Sequence, residues 1–109
     1  MRRYILLTAC HNVARWTGEA GDAAAARDML AALLPVRERV LGAEHSDTLT
    51  TRHNLAYFTG KAGDALAARD QFAALLPVRE RVLGAEHPDT LKTRASLADW
   101  TQRAEESGS

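Results

Sequence analysis

The chain has 109 residues, of which 46% are apolar and 6% aromatic, and its 14 lysines and arginines balance its 14 aspartates and glutamates. The length predicts one domain, and the lack of a basic excess argues against nucleic-acid binding, which requires cations to neutralise phosphates. No apolar run approaches the roughly 20 residues of a membrane span, and a lone cysteine cannot form an internal disulfide, so we expect a cytoplasmic protein with no membrane partner.

A 42-residue internal repeat dominates the sequence. Residues 11–52 and 53–94 align without a gap, and 33 of the 42 aligned positions are identical. A fixed period in this range is the signature of stacked repeats, in which each unit buries its apolar face against its neighbour. We expect repeat 1 over about 5–46, repeat 2 over about 47–88, a lone C-terminal helix at 89–105 and a polar tail at 106–109.

Five helices are predicted in chain order, at about 3–18, 22–42, 47–61, 64–83 and 89–105. The opening MRRYILLTAC resembles the start of a lipoprotein signal ending in Cys10, but its apolar part is too short for a secretory core. It also falls in repeat register, because Leu7 and Thr8 lie 42 positions before Leu49 and Thr50. We therefore assign this stretch to the first helix.

Signals for the helix ends are clearest in the second repeat. Ser46 or Asp47 is expected to cap the third helix, and Asp64 is expected to cap the fourth. Gly60 and Gly63 are expected to end the third helix. The apolar residues between these signals recur near the helical period of 3.6, which predicts one buried side for the third helix.

The fourth helix has one apolar stripe, formed by Leu66, Ala68, Phe72, Leu75, Leu76, Val82 and Leu83. The charged residues between them are assigned to a solvated face: Arg69, Asp70, Arg79, Glu80 and Arg81. Pro77, like Pro35 in the first copy, lies inside this helix and removes a backbone hydrogen bond. We expect a kink there rather than a break into two helices, because the stripe continues in phase to Val82, and Gly84 should end the helix as a left-handed residue.

These residues resemble the tetratricopeptide repeat. The second copy matches that pattern at Leu55-Ala56, Gly63-Asp64, Ala68, Phe72 and Leu75, and the first copy at Val13-Ala14, Gly21-Asp22, Ala26, Leu30 and Leu33. The period is similar to that of the 42-residue subtype found in kinesin light chains and in repeat arrays attached to bacterial signalling ATPases. The chain departs from the pattern at Thr17 and Thr59, where the family carries tyrosine, and HEAT-like repeats of similar length are the alternative.

The resemblance implies an all-α fold, which is a right-handed stack of antiparallel helical hairpins. It also implies that the protein binds a protein or peptide partner. In this family the concave surface consists of outward side chains from successive first helices, and in this subtype an asparagine there holds the backbone of a ligand. The matching positions are His11, Asn12, Arg15, Glu19, Thr50, His53, Asn54, Tyr57, Lys61, Lys92, Ser96, Asp99 and Arg103. For each residue the alternative is a merely solvated helix face.

Catalytic and metal sites are not expected. His45 and His87 each lie between a glutamate and an aspartate, but a metal site needs three or four converging ligands. We expect these histidines in helix-entry loops, where they satisfy backbone N–H groups. Cys10 and His11 are adjacent and point about 100° apart on a helix, so they do not form a nucleophile–base pair. The sequence therefore predicts no enzyme, no metal and no cofactor.

Self-assembly is the second functional hypothesis. Both terminal helices carry apolar residues but have no further hairpin beside them, at Tyr4, Leu6, Leu91, Leu97 and Trp100. Large apolar patches seldom stay exposed, so these ends are expected to pack against a second copy in a homodimer. The near-identity of the repeats also suits a fragment of a longer array or a consensus design, and the sequence does not separate these origins.

Overall fold

The computed structural model describes the backbone of residues 2–107 and the side chains of residues 5–107. Within them the chain forms five α-helices: α1 (Arg2–Glu19), α2 (Ala23–Leu41), α3 (Ser46–Lys61), α4 (Ala65–Leu83) and α5 (Pro88–Ser107). Each bound lies within about two residues of its prediction, and the all-α prediction is confirmed. Part of the predicted tail is helical, because α5 continues through Glu106 to Ser107.

The helix starts are capped as predicted at Asp64 but not at α3. Asp64 Oδ1 accepts a hydrogen bond from the Ala67 N–H at 3.0 Å. The prediction of Ser46 or Asp47 as the α3 cap is wrong, because His45 is the cap and its Nδ1 accepts from the Asp47 N–H at 3.0 Å. A ring nitrogen that carries no proton is an acceptor, so it can satisfy a free backbone N–H at a helix start.

His87 repeats this arrangement at the start of α5, where its Nδ1 accepts from the Asp89 N–H at 3.1 Å. Both helix-entry histidines are thus engaged with backbone, as expected. Across residues 2–107 no group of three or more His, Cys, Asp and Glu side chains is placed to hold a metal ion.

The glycines of α3 and α4 have two different roles. Gly84 ends α4 at φ +99° and ψ 151°, a region open to glycine but distinct from the predicted left-handed helical basin. The prediction that Gly60 ends α3 is wrong, since it lies buried inside the helix, and the turn falls at Gly63 with φ +113°. A Cβ atom on Gly60 would lie 2.5 Å from the Trp100 ring, so this glycine is a notch for an aromatic side chain.

Both prolines lie within unbroken helices. The helix α2 continues through Pro35 and α4 continues through Pro77, and both rings are exposed. The alternative of two separate helices is therefore excluded.

The core consists of small and large apolar residues at matched positions of neighbouring helices. Ala56, Ala68 and Phe72 are completely buried and form one cluster with Trp100. The predicted stripe of α4 is wrong at Leu66 and Val82, which are 54% and 38% exposed.

The assignment of Arg79 to the solvated face is also wrong, because this arginine is only 3% exposed. Its buried neighbours Phe72 and Leu75 lie seven and four positions before it, so the three side chains share one face of α4.

The five helices form an open, right-handed stack. Each helix packs mainly on the helix before it and the helix after it, and direct contacts also join α1 to α3 and α3 to α5. The stack measures 48 × 32 × 19 Å, which is elongated for so short a chain. In the part of the chain that the structure describes, no helix is both long and apolar enough to cross a bilayer.

Candidate functional site

The helices α1, α3 and α5 share one face of the stack, and a buried arginine joins each hairpin to the next helix beneath it. Arg37 of α2 is 4% exposed. Its Nη1 donates to Thr51 Oγ1 at 2.9 Å and to the Asp47 carbonyl oxygen at 3.0 Å, both on α3. The same atom lies 3.5 Å from His11 Nδ1 on α1. One guanidinium thus connects three successive helices.

The second repeat reproduces this arrangement. Arg79 Nη1 donates to Thr93 Oγ1 at 2.9 Å and to the Asp89 carbonyl oxygen at 3.2 Å, and it lies 3.3 Å from His53 Nδ1. Burial lowers the pKa of Arg79 from its usual value, although the negative charge of Asp89 opposes this change. A guanidinium nonetheless stays protonated in proteins, so each arginine is a fixed cation that acts only as a donor.

The histidines beside these arginines are held neutral. Burial, followed by the positive charges of Arg37 and Arg15, lowers the pKa of His11 from 6.5 to about 4. Burial and the charge of Arg79 lower the pKa of His53 to the same value. Because a guanidinium only donates, His11 Nδ1 can only accept in its contact with Arg37, and we assign the proton of this neutral ring to Nε2. His53 Nδ1 also lies 3.3 Å from Thr93 Oγ1, a hydroxyl that can donate or accept.

The proton on His11 Nε2 determines how the Asn54 amide is oriented. The amide lies 2.9 Å from His11 Nε2, with Nδ2 placed toward the ring. Two N–H donors cannot share a hydrogen bond, whereas the amide rotated by 180° accepts the Nε2–H proton at Oδ1. That orientation turns the Asn54 NH2 group away from His11 and leaves its two donors for another partner.

A pocket of about 300 Å³ adjoins Asn54 on the shared face. It is lined by Arg15, Glu19, His53, Asn54, Tyr57 and Phe58. Arg15 and Glu19 form an exposed ion pair at 3.5 Å along α1. The Tyr57 ring is 40% exposed and packs edge-to-face on Phe58, with ring centroids 5.0 Å apart. The structure therefore brings five of the residues predicted for the groove into one pocket.

Comparison with known proteins identifies the fold. Residues 6–47 and residues 47–108 each match a family model described as the tetratricopeptide repeat. The chain belongs to the tetratricopeptide repeat family.

Solved structures agree with this assignment. A putative kinesin light chain from Podospora anserina, with nearly identical tetratricopeptide-like repeats, is 24% identical with a TM-score of 0.82. A single-substitution variant of that protein is 23% identical with a TM-score of 0.81. Each match covers 92% of this chain and 47% of the other, so the chain spans about half the length of these structures. No curated protein sequence matches the chain closely enough to count as a relative.

Tetratricopeptide repeats generally mediate protein–protein interaction or scaffolding, and proteins built from them are generally non-enzymatic. The other predicted groove residues of this tetratricopeptide repeat domain lie in four surroundings. His11 is buried beneath the face at 6% exposure. Thr50 is half-buried, and its hydroxyl lies 3.5 Å from Arg79 Nη2, so this threonine borders the arginine contact.

Lys61 and Arg103 line a separate pocket of about 430 Å³ beside Trp100, and the Arg103 guanidinium lies 4.7 Å above that ring. The remaining positions lie along α1 and α5 outside both pockets: Asn12, Lys92, Ser96 and Asp99.

Some of the residues predicted for self-association are buried in the structure and others are exposed. Trp100 is 5% exposed and Leu97 packs beside it, so both contribute to the core of the tetratricopeptide repeat domain. Leu6 and Leu91 are exposed by 63% and 42% at opposite ends of the stack. The Tyr4 side chain lies outside the described residues.

Sequence analysis missed Arg37 and Arg79, which organise the site from beneath. The available signal was their spacing, since Arg37 follows the buried Leu30 and Leu33 by seven and four positions. Such spacing places a residue on the buried face whatever its charge.

Proposed function

We propose that this domain binds an extended peptide segment of a protein partner through the face formed by α1, α3 and α5. The observation that carries the proposal is the Asn54 amide at the edge of the 300 Å³ pocket, held by the neutral ring of His11. An amide held at its oxygen has a fixed plane and presents its two N–H donors in two fixed directions. Backbone carbonyl oxygens of an extended peptide are the acceptors that fit such donors.

The surroundings of Asn54 support a peptide ligand over a small charged one. Tyr57 offers a flat and partly exposed ring, which supplies contact area at a low cost in side-chain entropy. Arg15 and Glu19 contribute one charge of each sign at the pocket rim, so the site has no strong preference for an anion or a cation.

The α5 positions predicted for the groove extend the proposed binding face beyond the pocket. Asp99 and Arg103 form an exposed ion pair at 3.2 Å along this helix. Lys92 lies close enough to lower the pKa of His53. A ligand that runs from α1 across α3 to α5 would meet these side chains after Tyr57.

The experiment uses peptides selected from a random library displayed on phage. Affinity for the best peptide is measured by fluorescence polarisation for the wild type, Asn54→Ala, Asn54→Asp and a matched control, Leu66→Ala, whose side chain is 54% exposed on α4. We expect both Asn54 variants to weaken binding about tenfold, because each removes the NH2 donors, and the control to bind as the wild type does.

Equal affinities for Asn54→Asp and the wild type would contradict the proposal, and so would a library that yields no peptide. Circular dichroism melts separate loss of binding from loss of fold.

A further inference from the structure

Three polar side chains, one each from α1, α2 and α3, lead from the core of the stack to the proposed peptide site. Arg37 Nη1 lies 3.5 Å from His11 Nδ1, and His11 Nε2 lies 2.9 Å from the Asn54 amide. Arg37 is 4% exposed and His11 6%. Of the three side chains, only Asn54 lines the pocket of about 300 Å³. Arg37 and His11 therefore act on a ligand only through Asn54.

Arg37 places a fixed positive charge beside the histidine ring. Its Nη1 donates to Thr51 Oγ1 and to the Asp47 carbonyl oxygen, and these two hydrogen bonds hold the guanidinium in place. A positive charge next to His11 Nδ1 favours a lone pair on this nitrogen over a proton. The neutral ring then carries its proton on Nε2, which is the atom that faces Asn54.

The second repeat has the same arginine and histidine but lacks the asparagine. Arg79 Nη1 lies 3.3 Å from His53 Nδ1. The residue that corresponds to Asn54, 42 positions later, is Ser96. A serine hydroxyl rotates about its C–O bond and can both donate and accept, so its polarity is not fixed. The stacking contact of the arginine is thus common to both repeats, whereas the link to an amide is formed by Arg37 and not by Arg79.

We infer that Arg37 is a positioning residue of the peptide site, which acts through His11 to turn the Asn54 NH2 group toward the ligand. The site then accepts a backbone carbonyl oxygen at this point and rejects a group that offers only N–H donors, such as an ammonium or a guanidinium group. The inference rests on the proposed peptide binding. It adds the residue that determines which hydrogen-bonding groups of a peptide fit beside Asn54.

Two substitutions of His11 that have nearly the same shape separate polarity from packing. In His11→Gln, the side-chain oxygen accepts from Arg37 and the NH2 group donates to Asn54 Oδ1, as the histidine ring does. In His11→Glu, the carboxylate only accepts, so Asn54 must donate to it and turns its own oxygen toward the ligand. The polarity of the pocket is then reversed at an almost unchanged side-chain volume.

Fluorescence polarisation with the peptide selected from the phage library measures the affinity of both His11 variants. We expect His11→Glu to bind about tenfold more weakly than His11→Gln, because the Asn54 oxygen then faces a carbonyl oxygen of the peptide. Equal affinities of the two variants would overturn the inference, and so would tighter binding by His11→Glu. Circular dichroism melts establish that both variants are folded.

A double-variant cycle separates the positioning role of Arg37 from its structural role. The cycle compares the wild type, Arg37→Met, Asn54→Ala and the double variant. Because Arg37 acts through Asn54, Arg37→Met should weaken binding about threefold or more in the wild type and should have no further effect in Asn54→Ala. The control is Arg39→Met, an exposed position on α2, which should bind as the wild type does.

The same cycle distinguishes failure of this inference from failure of the proposed function. If Asn54→Ala binds the peptide as tightly as the wild type, the peptide site itself is wrong and the inference is overturned with it. If Asn54→Ala binds weakly but the effects of the two substitutions multiply, Arg37 acts independently of Asn54, and only the inference is overturned.

The position of the His11 proton provides a measurement that needs no ligand. Long-range ¹H–¹⁵N correlation spectra distinguish a ring protonated at Nε2 from one protonated at Nδ1. At pH 7 the ring is neutral, because its pKa is about 4. We expect the Nε2–H form in the wild type and a mixture of both forms in Arg37→Met. An Nδ1–H ring in the wild type would overturn the inference, as would an Nε2–H ring that is unchanged in Arg37→Met.

Discussion

At the scale of single residues, Arg37 and Arg79 determine how successive hairpins meet. Each guanidinium donates to a threonine hydroxyl and to a backbone carbonyl of the next helix. The Nε atoms of both arginines are buried and have no hydrogen-bond partner among the described residues. The hydrogen bonds of a buried guanidinium offset the cost of taking it out of water, and removing it leaves the threonine hydroxyl without this donor. The arginines therefore act mainly by specifying the register between hairpins.

Replacing Arg37 by methionine tests this role. The variant should lose about 1–3 kcal/mol of unfolding free energy, because the buried Thr51 hydroxyl loses the donor that Arg37 supplies, whereas the Asp47 carbonyl keeps its hydrogen bond from Thr51 Oγ1. Arg39→Met on the same helix is the control, since Arg39 is exposed and its replacement should change stability by less than about 0.5 kcal/mol. Urea denaturation followed by circular dichroism gives both values. Equal losses of unfolding free energy in the two variants would show that the buried contacts of Arg37 do not contribute to stability.

Stability should fall as the pH is lowered from 6.5 toward 4. His11 and His53 have pKa values near 4 in the folded chain and 6.5 in the unfolded chain. Between these values the two histidines bind protons in the unfolded chain but not in the folded chain, which favours unfolding. Between pH 6.5 and 5 the loss amounts to about 2 kcal/mol for each histidine. Urea denaturation at several pH values measures it.

The double variant His11→Gln, His53→Gln is the control for this prediction. It should show a much smaller decrease over the same range because glutamine does not titrate. If it decreases as steeply as the wild type, other groups are responsible for the pH dependence.

Sequence analysis identified the pocket residues but not what holds them. Asn54 and Tyr57 were found because the repeat pattern assigns positions to the concave face. Arg79 was missed because a charged residue among charged neighbours predicts solvent exposure, and only the 4-residue spacing from Leu75 indicated burial. The Asn54 orientation needs the arginine, the histidine and their distances together, and no sequence pattern contains that information.

At the scale of elements, each hairpin is matched to the next by a glycine and an aromatic ring. Phe58 of α3 occupies the space beside Gly18, and Trp100 of α5 occupies the space beside Gly60. A side chain at either glycine would occupy the volume of the ring. The contact between successive first helices therefore depends on the absence of one methyl group.

Gly60→Ala should destabilise the fold by about 1–3 kcal/mol, because its Cβ would lie 2.5 Å from the Trp100 ring. Trp100→Leu removes the ring and creates space at the same place. In the double variant the alanine should cost much less than it does alone, which thermal or urea denaturation of the four proteins in the cycle measures. Costs that simply add would show that the notch and the ring are not coupled.

The element bounds were largely predictable because capping and turn residues act locally. Asp64 and Gly63 have the same roles in the structure as in the prediction. Gly60 was misassigned as a helix end because a glycine that ends a helix and a glycine that makes room for a neighbouring ring are the same residue in the sequence. The two are distinguished only by what the next repeat places against the helix.

At the scale of the whole molecule, the open stack separates two surfaces. The Asn54 pocket lies on the face shared by α1, α3 and α5, and Leu6 and Trp16 lie exposed at the α1 end. The 42-residue period predicted the stack, because residues that recur at this interval bury their apolar sides only against neighbouring copies. The period alone does not predict which copy of a position is exposed, since Trp16 is 66% exposed whereas Phe58, 42 positions later, is buried.

The most direct test of the account is to map a selected peptide onto the domain by NMR. Amide shifts are recorded while unlabelled peptide is added to the ¹⁵N-labelled protein. We predict that the largest changes fall on Arg15, Asn54, Tyr57 and adjoining residues of α1 and α3, with smaller changes along α5. Changes concentrated on α2 and α4, with those residues unaffected, would contradict the assignment of the binding face.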